Sequence, residues 1–344
     1  MSATAMDEQL DRDLRRTMEQ LFGEHGPSGR DETDGIALDR ELWRRLTELG
    51  FTRLTGDAVA GGSGAGWREA AALLGVAATH AVSMPLAEHD LLAGWLLEQA
   101  GLPMDDRLRT VAVLDRDGRS RSVPWASAVE RVVTVRVDDG RTSVADVDAS
   151  AISLTRGRNL LGEPRDDIQV SSRDGVELDQ TTVEDLMLRG GLARAVQLTG
   201  ALERILQLTI DHVGSRQQFG RPLSRFQVVQ HQVADMAAEV SLARSCVEAA
   251  VHAGDTGSPR FGFLVAVARS CAGHAASVVV RNGHQLHGAI GTTREHDLHR
   301  STLAALSWRS EFGSTRVWDA RVADLARLAG PDGLWPLVTG TETA

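Results

Sequence analysis

The densest polar cluster in the second half of the chain is the run Arg216–Leu223, which reads RQQFGRPL. An arginine presents a planar fork of donors that suits a pyrophosphate group. Phe219 can lie against an aromatic ring, and Gly220 lets the backbone approach a ligand closely. The cluster indicates a site for an anion that carries an aromatic group. An ordinary turn between two helices with solvated arginines would use the same residues, so composition leaves both interpretations open.

A second polar cluster lies between His284 and His299, around the loop Gly288–Gly291. Histidines three residues apart can share one helix face and bind a metal ion. Here the histidines stand on both sides of the glycine loop, and the chain contains no His-Glu-x-x-His motif. The pattern favours helix-end histidines beside carboxylates, and it predicts no metal site among His284, His287, Glu295, His296, Asp297 and His299.

Two apolar series frame these clusters. Apolar or small residues recur at steps of three and four over Leu188–Val213 and again over Val229–Ala250. This spacing predicts long amphipathic helices that pack antiparallel. Gly220 interrupts the chain between the two helices. Ser224, followed three residues later by Gln227, predicts a capping box at the start of the second helix.

The remaining chain follows two other patterns. Helical spacing extends through residues 1–103, whereas residues 104–182 carry short runs rich in valine, such as Thr110–Leu114 and Val132–Val137. Such runs between turn signals predict short antiparallel strands. The sequence therefore predicts a mainly α fold with a small β domain. Its order is an N-terminal helical domain (1–103), a reduced middle β domain (104–182) and a C-terminal antiparallel helix bundle (183–344).

Composition excludes several classes of protein. Hydrophobic residues make up 42% and charged residues 24%, which is typical of a folded globular chain. The 37 basic and 47 acidic residues give a net charge of −10, so no positive field attracts nucleic acid or an anionic membrane. Residues 1–22 lack the basic-then-apolar pattern of a signal peptide, and no run of about 18 apolar residues occurs, so we expect no export and no membrane span. Cys246 and Cys271 lie in apolar helical stretches and are predicted to be core thiols, so we expect a cytoplasmic protein.

Together the two clusters resemble motifs of the acyl-CoA dehydrogenase family. The segment Arg216–Gln227, RQQFGRPLSRFQ, is similar to the signature of its C-terminal domain. The segment Gln285–Asp297, QLHGAIGTTREHD, is similar to its second flavin loop. Order and spacing both match. The resemblance is strong after residue 190, weaker before residue 104 and slight between them.

The resemblance implies FAD bound across a subunit interface. Arg216, Gln218 and Phe219 would hold FAD from one side, with further contacts from Gln227 and Ser314. From the second loop, Gln285, Gly288 and Ala289 would contact the flavin nucleotide of the neighbouring chain. Ala289 replaces the usual second glycine of this loop, and its methyl group would restrict backbone approach to the cofactor. Gln227 has two candidate roles, because the predicted capping box also uses it.

The family reaction is α,β-dehydrogenation of an acyl-CoA thioester, in which a glutamate removes the α-proton and hydride passes from the β-carbon to the flavin. This chain lacks a glutamate at either usual position. The segment Glu311–Ser314 places Phe312 at one of them, and Gly190 stands at the other. Glu311 and Glu184 are the nearby carboxylates that remain as weak candidates for the base.

The middle domain departs from the family pattern as well. It is short and lacks the Thr-Glu-Pro and Gly-Ser-Asp motif that covers the flavin, the nearest fragment being Gly162–Pro164. In these respects the chain resembles the short subunit of the α2β2 heterotetrameric acyl-CoA dehydrogenases of actinobacteria. Several of those enzymes act on CoA thioesters of steroid side chains, and the partner subunit carries the catalytic glutamate.

Three hypotheses are consistent with these features. The first is a subunit that contributes FAD contacts and assembly to a heteromer with a paralogous acyl-CoA dehydrogenase chain, an acyl-CoA substrate and a separate electron acceptor. The second is a self-sufficient homotetramer that uses Glu311 or Glu184 as an atypical base. The third is a flavin-free structural subunit that keeps the bundle only for assembly.

Overall fold

The computed structural model describes residues 3–31, 35–138 and 140–341. It contains two compact units, one formed by residues 1–77 and 82–190 and the other by residues 78–81 and 191–344. Long helices dominate, with short strands between residues 109 and 178. The predicted mainly α fold with a small β region is confirmed. The proposed division into three domains stays a prediction.

Helices form the first part of the first unit. They are α1 (Ala3–His25), α2 (Arg40–Glu48), α3 (Trp67–Thr79), a π-helical segment (Ala87–Gly94) and α4 (Trp95–Gln99), with the short hairpin of β1 (Arg30–Asp31) and β2 (Gly35–Ile36) before α2. Asp39 caps α2, because its Oδ1 accepts a hydrogen bond of 2.9 Å from the Leu42 amide. Leu42 and Leu46 are buried on one face of α2, as their spacing predicts.

The strands of the first unit form two small sheets. They are β3 (Arg109–Leu114), β4 (Arg119–Pro124), β5 (Arg131–Asp138), β6 (Arg141–Asp148), β7 (Ser153–Thr155), β8 (Arg165–Gln169) and β9 (Val176–Leu178). One sheet has the order β3-β5-β6-β9 and the other the order β4-β8-β7.

The prediction that the middle strands are antiparallel is wrong for one pair. β3 and β5 run parallel, with Val111 opposite Val133. The reason is that β4 leaves the first sheet to pair with β8, so the chain re-enters beside β3 in the same direction. β5 then forms the predicted antiparallel hairpin with β6. Val133, Val135 and Val144 are completely buried on these central strands.

The second unit is the helix bundle. Its helices are α5 (Thr182–Ser215, of which the residues up to Gly190 belong to the first unit), α6 (Gln227–Asp255), α7 (Phe261–His287), α8 (Leu298–Trp308) and α9 (Thr315–Thr339). The two-residue strands β10 (Gln217–Gln218) and β11 (Arg221–Pro222) join α5 to α6.

Two glycines allow these helices to approach closely. A Cβ atom on Gly191 in α5 would lie 2.8 Å from the ring of Trp318 in α9. A Cβ atom on Gly273 in α7 would overlap Thr315 at the start of α9. A larger residue at either position would force the helices apart and open the packed interior.

The end of the described chain is fastened to the bundle. α9 bends at Gly330, which has φ 68° and ψ −178°. Beyond the bend, the guanidinium of Arg260 donates hydrogen bonds of 3.0 and 2.7 Å to the carbonyls of Leu337 and Val338. Trp335 is nevertheless 70% exposed.

Two local predictions are wrong. α6 begins at Phe226 as N-cap with no side-chain hydrogen bond, so Ser224 and Gln227 form no capping box. Ser224 instead lies in a 3-10 turn, and its carbonyl accepts a hydrogen bond of 2.9 Å from the side chain of Gln230. Cys246 and Cys271 are free thiols, but they are half-buried instead of lying in the core.

α7 is unusually apolar in composition. The stretch Phe261–Thr292 is long and apolar enough to cross a membrane by length and composition alone. Of its most apolar window, 56% is buried inside the protein. Small residues such as Gly273 serve close helix packing within this stretch. The stretch therefore has the character of a core helix of the bundle.

Candidate cofactor and active site

The hairpin after α5 displays Phe219. β10 pairs antiparallel with β11, and the central residues Phe219 and Gly220 have positive φ angles of 51° and 77°, as a type I′ turn requires. Glycine adopts this conformation freely, whereas for a bulky residue it costs on the order of 1 kcal/mol. Phe219 is 89% exposed. The turn therefore holds an aromatic ring where a ligand or a partner can cover it.

The arginines of this hairpin differ in their surroundings. The guanidinium of Arg221 lies 4.2 Å from the ring centroid of Phe226, a cation–π contact. Phe226 also meets Phe219 edge to face, with 6.1 Å between centroids. Arg216 and Gln218 are exposed on the same hairpin. Gln227 is likewise exposed, in the first turn of α6.

The second loop continues directly from α7. Gly288 follows the helix with φ 62° and ψ −143°, a combination that only glycine adopts readily. A 3-10 turn covers Gly288–Thr292. Gln285, Gly288 and Ala289 are exposed. Ala289 has no positive φ, so the methyl group that replaces the family's second glycine causes no backbone strain.

The structure brings these two loops to the same end of the bundle. His212, in the last turn of α5, stacks on His287, the last residue of α7, with ring centroids 4.4 Å apart and an interplanar angle of 23°. α6 runs back from this end toward α7, so its first residue lies here too. The sequence pattern identifies the two clusters separately and does not single out His212. The one available signal is its position, one helical turn before Arg216.

Only two of the four loop histidines come together. His296 meets His287 edge to face, with centroids 4.7 Å apart. His284 instead contacts the Thr302 hydroxyl, and His299 contacts the His296 carbonyl. With His212, the rings of His287 and His296 bring nitrogen atoms within 4.8 Å of one another.

This three-histidine cluster has a geometry that disfavours a metal ion. An imidazole binds a metal in the plane of its ring, and the nearly parallel rings of His212 and His287 cannot both do so from a stack. The Nδ1 of His296 already accepts a hydrogen bond of 3.1 Å from the Leu298 amide. The absence of a metal site at these histidines stays a prediction.

Glu311, a weak candidate for the base, is held inside the chain. Arg194 on α5 is 2% exposed, and its Nε donates a hydrogen bond of 2.7 Å to Glu311 Oε2. Its Nη1 donates to Gln197 at 2.5 Å. The same guanidinium lies 5.7 Å from the ring of Phe312. Glu311 would have to break a largely buried ion pair before it could act as a base.

Arg269 on α7 binds the backbone of the loop at residues 309–313, which contains Glu311 and Phe312. Its Nη2 donates to the carbonyls of Arg309, Glu311 and Gly313 at 3.0, 2.8 and 3.0 Å. Burial lowers the pKa of Arg269 to about 10, which leaves the group charged at neutral pH. No sequence pattern indicates this role, because Arg194 and Arg269 interrupt otherwise apolar helix faces and look like exposed charges.

The remaining predicted residues are Glu184, Gly190 and Ser314. Glu184 is exposed in the first turn of α5, where it raises the pKa of its neighbour Asp185 together with the larger effect of burial. Gly190 is buried and supplies no side chain. Ser314 is exposed at the start of α9 and makes no side-chain cap.

The exposed groups at the bundle end fit the nucleotide half of FAD by their chemistry. Arg216 offers a cation for a pyrophosphate, Gln218 and Gln285 offer amide donors and acceptors, and Phe219 offers a ring face. Gly288 has open space around its Cα, since a Cβ atom added there would have no neighbouring atom within 4 Å. The cofactor roles of these residues stay predictions, and the chemistry of the donor set is compatible with them.

Sequence comparison agrees with this arrangement. The profile described as acyl-CoA dehydrogenase, C-terminal domain, matches residues 181–325. The acyl-CoA dehydrogenase IpdE2 of Mycobacterium tuberculosis is 30% identical over 327 residues, which cover 92% of this chain and 95% of the relative. The acyl-CoA dehydrogenase FadE27 of the same organism is 28% identical over 312 residues, covering 78% and 83% of the two chains.

Solved structures share the fold. A chain of the Tcur3481–Tcur3483 steroid ACAD, solved as a variant, superposes with a TM-score of 0.83 at 24% identity, covering 93% of this chain and 98% of that one. A chain of the ChsE4–ChsE5 complex from Mycobacterium tuberculosis gives a TM-score of 0.81 at 23% identity, covering 93% and 97%. Since the IpdE2 alignment spans nearly the whole of both chains, this protein belongs to the acyl-CoA dehydrogenase family.

Proposed function

We propose that this chain is one subunit of a heteromeric FAD-dependent acyl-CoA dehydrogenase, and that a paralogous partner subunit supplies the catalytic glutamate. The chain itself would contribute FAD contacts and assembly. The observation that carries the proposal is the contrast between Glu311, bound by the buried Arg194, and the exposed Arg216 and Phe219 at the bundle end.

The division of labour follows from the reaction. α,β-Dehydrogenation needs a base aimed at the α-carbon, and FAD supplies the acceptor for the hydride that leaves the β-carbon. Phe312 carries no acid–base group, and Gly190 carries no side chain. Arg216 would neutralise the pyrophosphate, while Phe219 and Gly288 would hold and admit the nucleotide. This chain then binds and orients, and the proton is removed by a carboxylate from elsewhere.

The names of similar proteins support the substrate class and the partner. Two structural neighbours are each named for two chains, and one of these two is called a steroid ACAD. We therefore propose a steroid-derived acyl-CoA thioester as substrate, a paralogous chain in an α2β2 assembly as partner, and a separate acceptor that reoxidises the flavin. The proposal places the enzyme in the cytoplasm, in keeping with two free thiols.

The test is to express this chain alone and together with a paralogous acyl-CoA dehydrogenase chain from its own genome. Flavin absorbance and mass by light scattering are then measured on both preparations. We expect a colourless chain alone and a yellow heterotetramer after co-expression, with acyl-CoA turnover only in the heterotetramer.

Two outcomes would contradict this expectation in different ways. A yellow homotetramer that turns over acyl-CoA by itself would favour a self-sufficient enzyme, and Glu311 and Glu184 would be the next residues to replace. An active heterotetramer whose flavin content is unchanged by Arg216→Ala and by Phe219→Ala would favour the flavin-free structural subunit.

A further inference from the structure

The three-histidine cluster, His212, His287 and His296, joins three separate elements next to the second loop. His212 belongs to α5, His287 ends α7, and His296 precedes α8. Between His287 and His296 the chain forms the Gly288–Thr292 turn. The cluster therefore brackets this turn in the chain and ties its first residue, Gly288, to α5 through His287.

Backbone contacts define the proton position on two of the rings. His287 Nδ1 lies 2.7 Å from the Gly283 carbonyl, which can only accept, so this nitrogen carries the proton. His296 Nδ1 lies 3.1 Å from the Leu298 amide, which can only donate, so the proton of the neutral ring is on Nε2. The Nε2 of His287 is buried and makes no hydrogen bond with any described residue. Neutral rings satisfy these contacts, whereas a second proton on His287 would add a positive charge at a buried nitrogen beside two other histidines.

The surroundings of the cluster also disfavour positive charge. Burial, His296 and Arg216 each lower the pKa of His212. Burial lowers the pKa of His287 to about 4, against the opposing effect of the Gly283 and Leu208 carbonyls, and both neighbouring histidines add to the decrease.

Other charged groups near the cluster do not offset this effect. Asp297, next to His296, is paired with Arg300 at 3.3 Å. Arg294 and Glu295 are exposed and of opposite sign. His284 and His299 contact a neutral hydroxyl and a carbonyl oxygen. No described carboxylate contacts the three rings, so only backbone carbonyls oppose the effect of burial, and burial is the larger of the two.

The turn packs against the base of His287. A Cβ atom on Gly291 would lie 2.8 Å from the Cβ of His287 and 2.8 Å from Leu298 Cδ2. The backbone of the turn is thus in close contact with the Cβ of His287. A displacement of the protonated His287 therefore moves atoms against which the turn packs.

We propose that the three-histidine cluster is an acid-operated latch, which holds the Gly288–Thr292 turn in place while its rings are neutral and releases it when they take up protons. The consequence for the cofactor rests on the proposed function, in which this turn would hold the nucleotide half of FAD. Acidification would then loosen the cofactor at this end of the bundle.

The direction of the pH effect follows from proton linkage. Histidines whose pKa is lowered in the folded state bind fewer protons there than in the released state. The closed turn is therefore favoured above the ordinary histidine pKa of about 6.5 and loses stability as the pH falls toward about 4.

The test is amide hydrogen exchange, followed by mass spectrometry, on peptides that cover the turn in the full chain. Rates are compared at about pH 7.5 and about pH 5, after correction for the intrinsic pH dependence of exchange. We expect at least about tenfold faster corrected exchange in the turn at the lower pH. Equal corrected rates at the two pH values would overturn the latch.

A variant pair makes the test specific. His212→Phe keeps a ring on the stack and cannot be protonated, so the acceleration should fall to about threefold or less. His287→Phe is the second variant if the first fails to fold. The control is His252→Gln, an exposed histidine of α6, which should keep the full acceleration. If His252→Gln removed the acceleration as strongly as His212→Phe, the assignment to this cluster would be wrong.

Flavin absorbance of the co-expressed complex at the same two pH values separates this proposal from the proposed function. Retained FAD with equal exchange rates would contradict the latch alone. Accelerated exchange in a complex that holds no FAD at either pH would support the latch and contradict the proposed flavin role.

Discussion

The two loops at the bundle end and the loop at residues 309–313 belong to the same unit, yet they treat their polar groups in opposite ways. Arg194 and Arg269 are buried; Arg194 Nε donates to Glu311, and Arg269 Nη2 donates to backbone carbonyls of the 309–313 loop. Arg216 and Phe219 are exposed on a strained turn. We call the 309–313 loop with Arg194 and Arg269 the closed region, because its polar groups are bonded within the chain. The two loops at the bundle end are the open region, because their polar groups are exposed.

The two environments distinguish residues that serve the fold from residues that remain available for binding. Buried ionic groups that are bonded within the chain fix a loop, and removing one partner costs more than the pair contributed. Exposed arginine and aromatic side chains contribute little to the stability of an isolated chain, yet they are typical of binding surfaces. Glu311 and the predicted cofactor residues at the bundle end thus differ in environment as well as in residue type.

The largest expected effect is on the closed region. Arg269→Met leaves the carbonyls of Arg309, Glu311 and Gly313 without their common donor, and we expect the free energy of unfolding to fall by about 3 kcal/mol. Urea unfolding followed by circular dichroism measures this loss. Arg225→Met, at an exposed arginine, is the control and should change stability by less than about 0.5 kcal/mol. Equal effects of the two substitutions would remove the contrast between the regions.

The second prediction concerns the open region, where we expect a loss of flavin affinity with little change in stability. Arg216→Ala should change the free energy of unfolding by less than about 0.5 kcal/mol. Flavin affinity of the co-expressed complex should fall at least about tenfold, because the cation that we propose for the pyrophosphate is lost. Flavin absorbance after dialysis measures the loss, and Arg225→Ala is the control. An equal loss of flavin with Arg225→Ala would point to a general charge effect.

The smallest effect is expected on the turnover rate, at Glu311 in the closed region. Glu311→Gln should leave the turnover rate of the complex within about twofold of the unmodified enzyme, since glutamine can still accept from Arg194. We expect a stability loss of about 1 kcal/mol. Turnover with an artificial electron acceptor measures the rate. A loss of about 100-fold or more would instead identify Glu311 as a general base.

Much of the fold could be predicted from the sequence because helix periodicity is a local property. The three-and-four spacing located α5 and α6, and valine-rich runs located β3 and β5. The parallel pairing of β3 with β5 could not be predicted, since it depends on β4 pairing with β8 about 45 residues later in the chain. The capping box failed because hydrogen bonding at Phe226 and Gln230 replaced the expected pattern.

For the candidate site, the sequence supplied residues but not their environments. Arg216 and Gln285 were found from motif spacing. Arg194, Arg269 and His212 were missed, because their significance comes from burial and from contacts with residues far along the chain. A buried arginine looks the same in a sequence as a solvated one, and only packing separates them.

The bend in α9 has an optical consequence. The chain has seven tryptophans and no tyrosine, so no tyrosine contributes to the emission of its indole rings. Trp335, beyond the bend, is 70% exposed, whereas the other six are buried or half-buried. A collisional quencher such as iodide therefore samples mainly the outer end of α9. Any molecule that covers this end would protect one identifiable chromophore from quenching and shift its emission toward the blue.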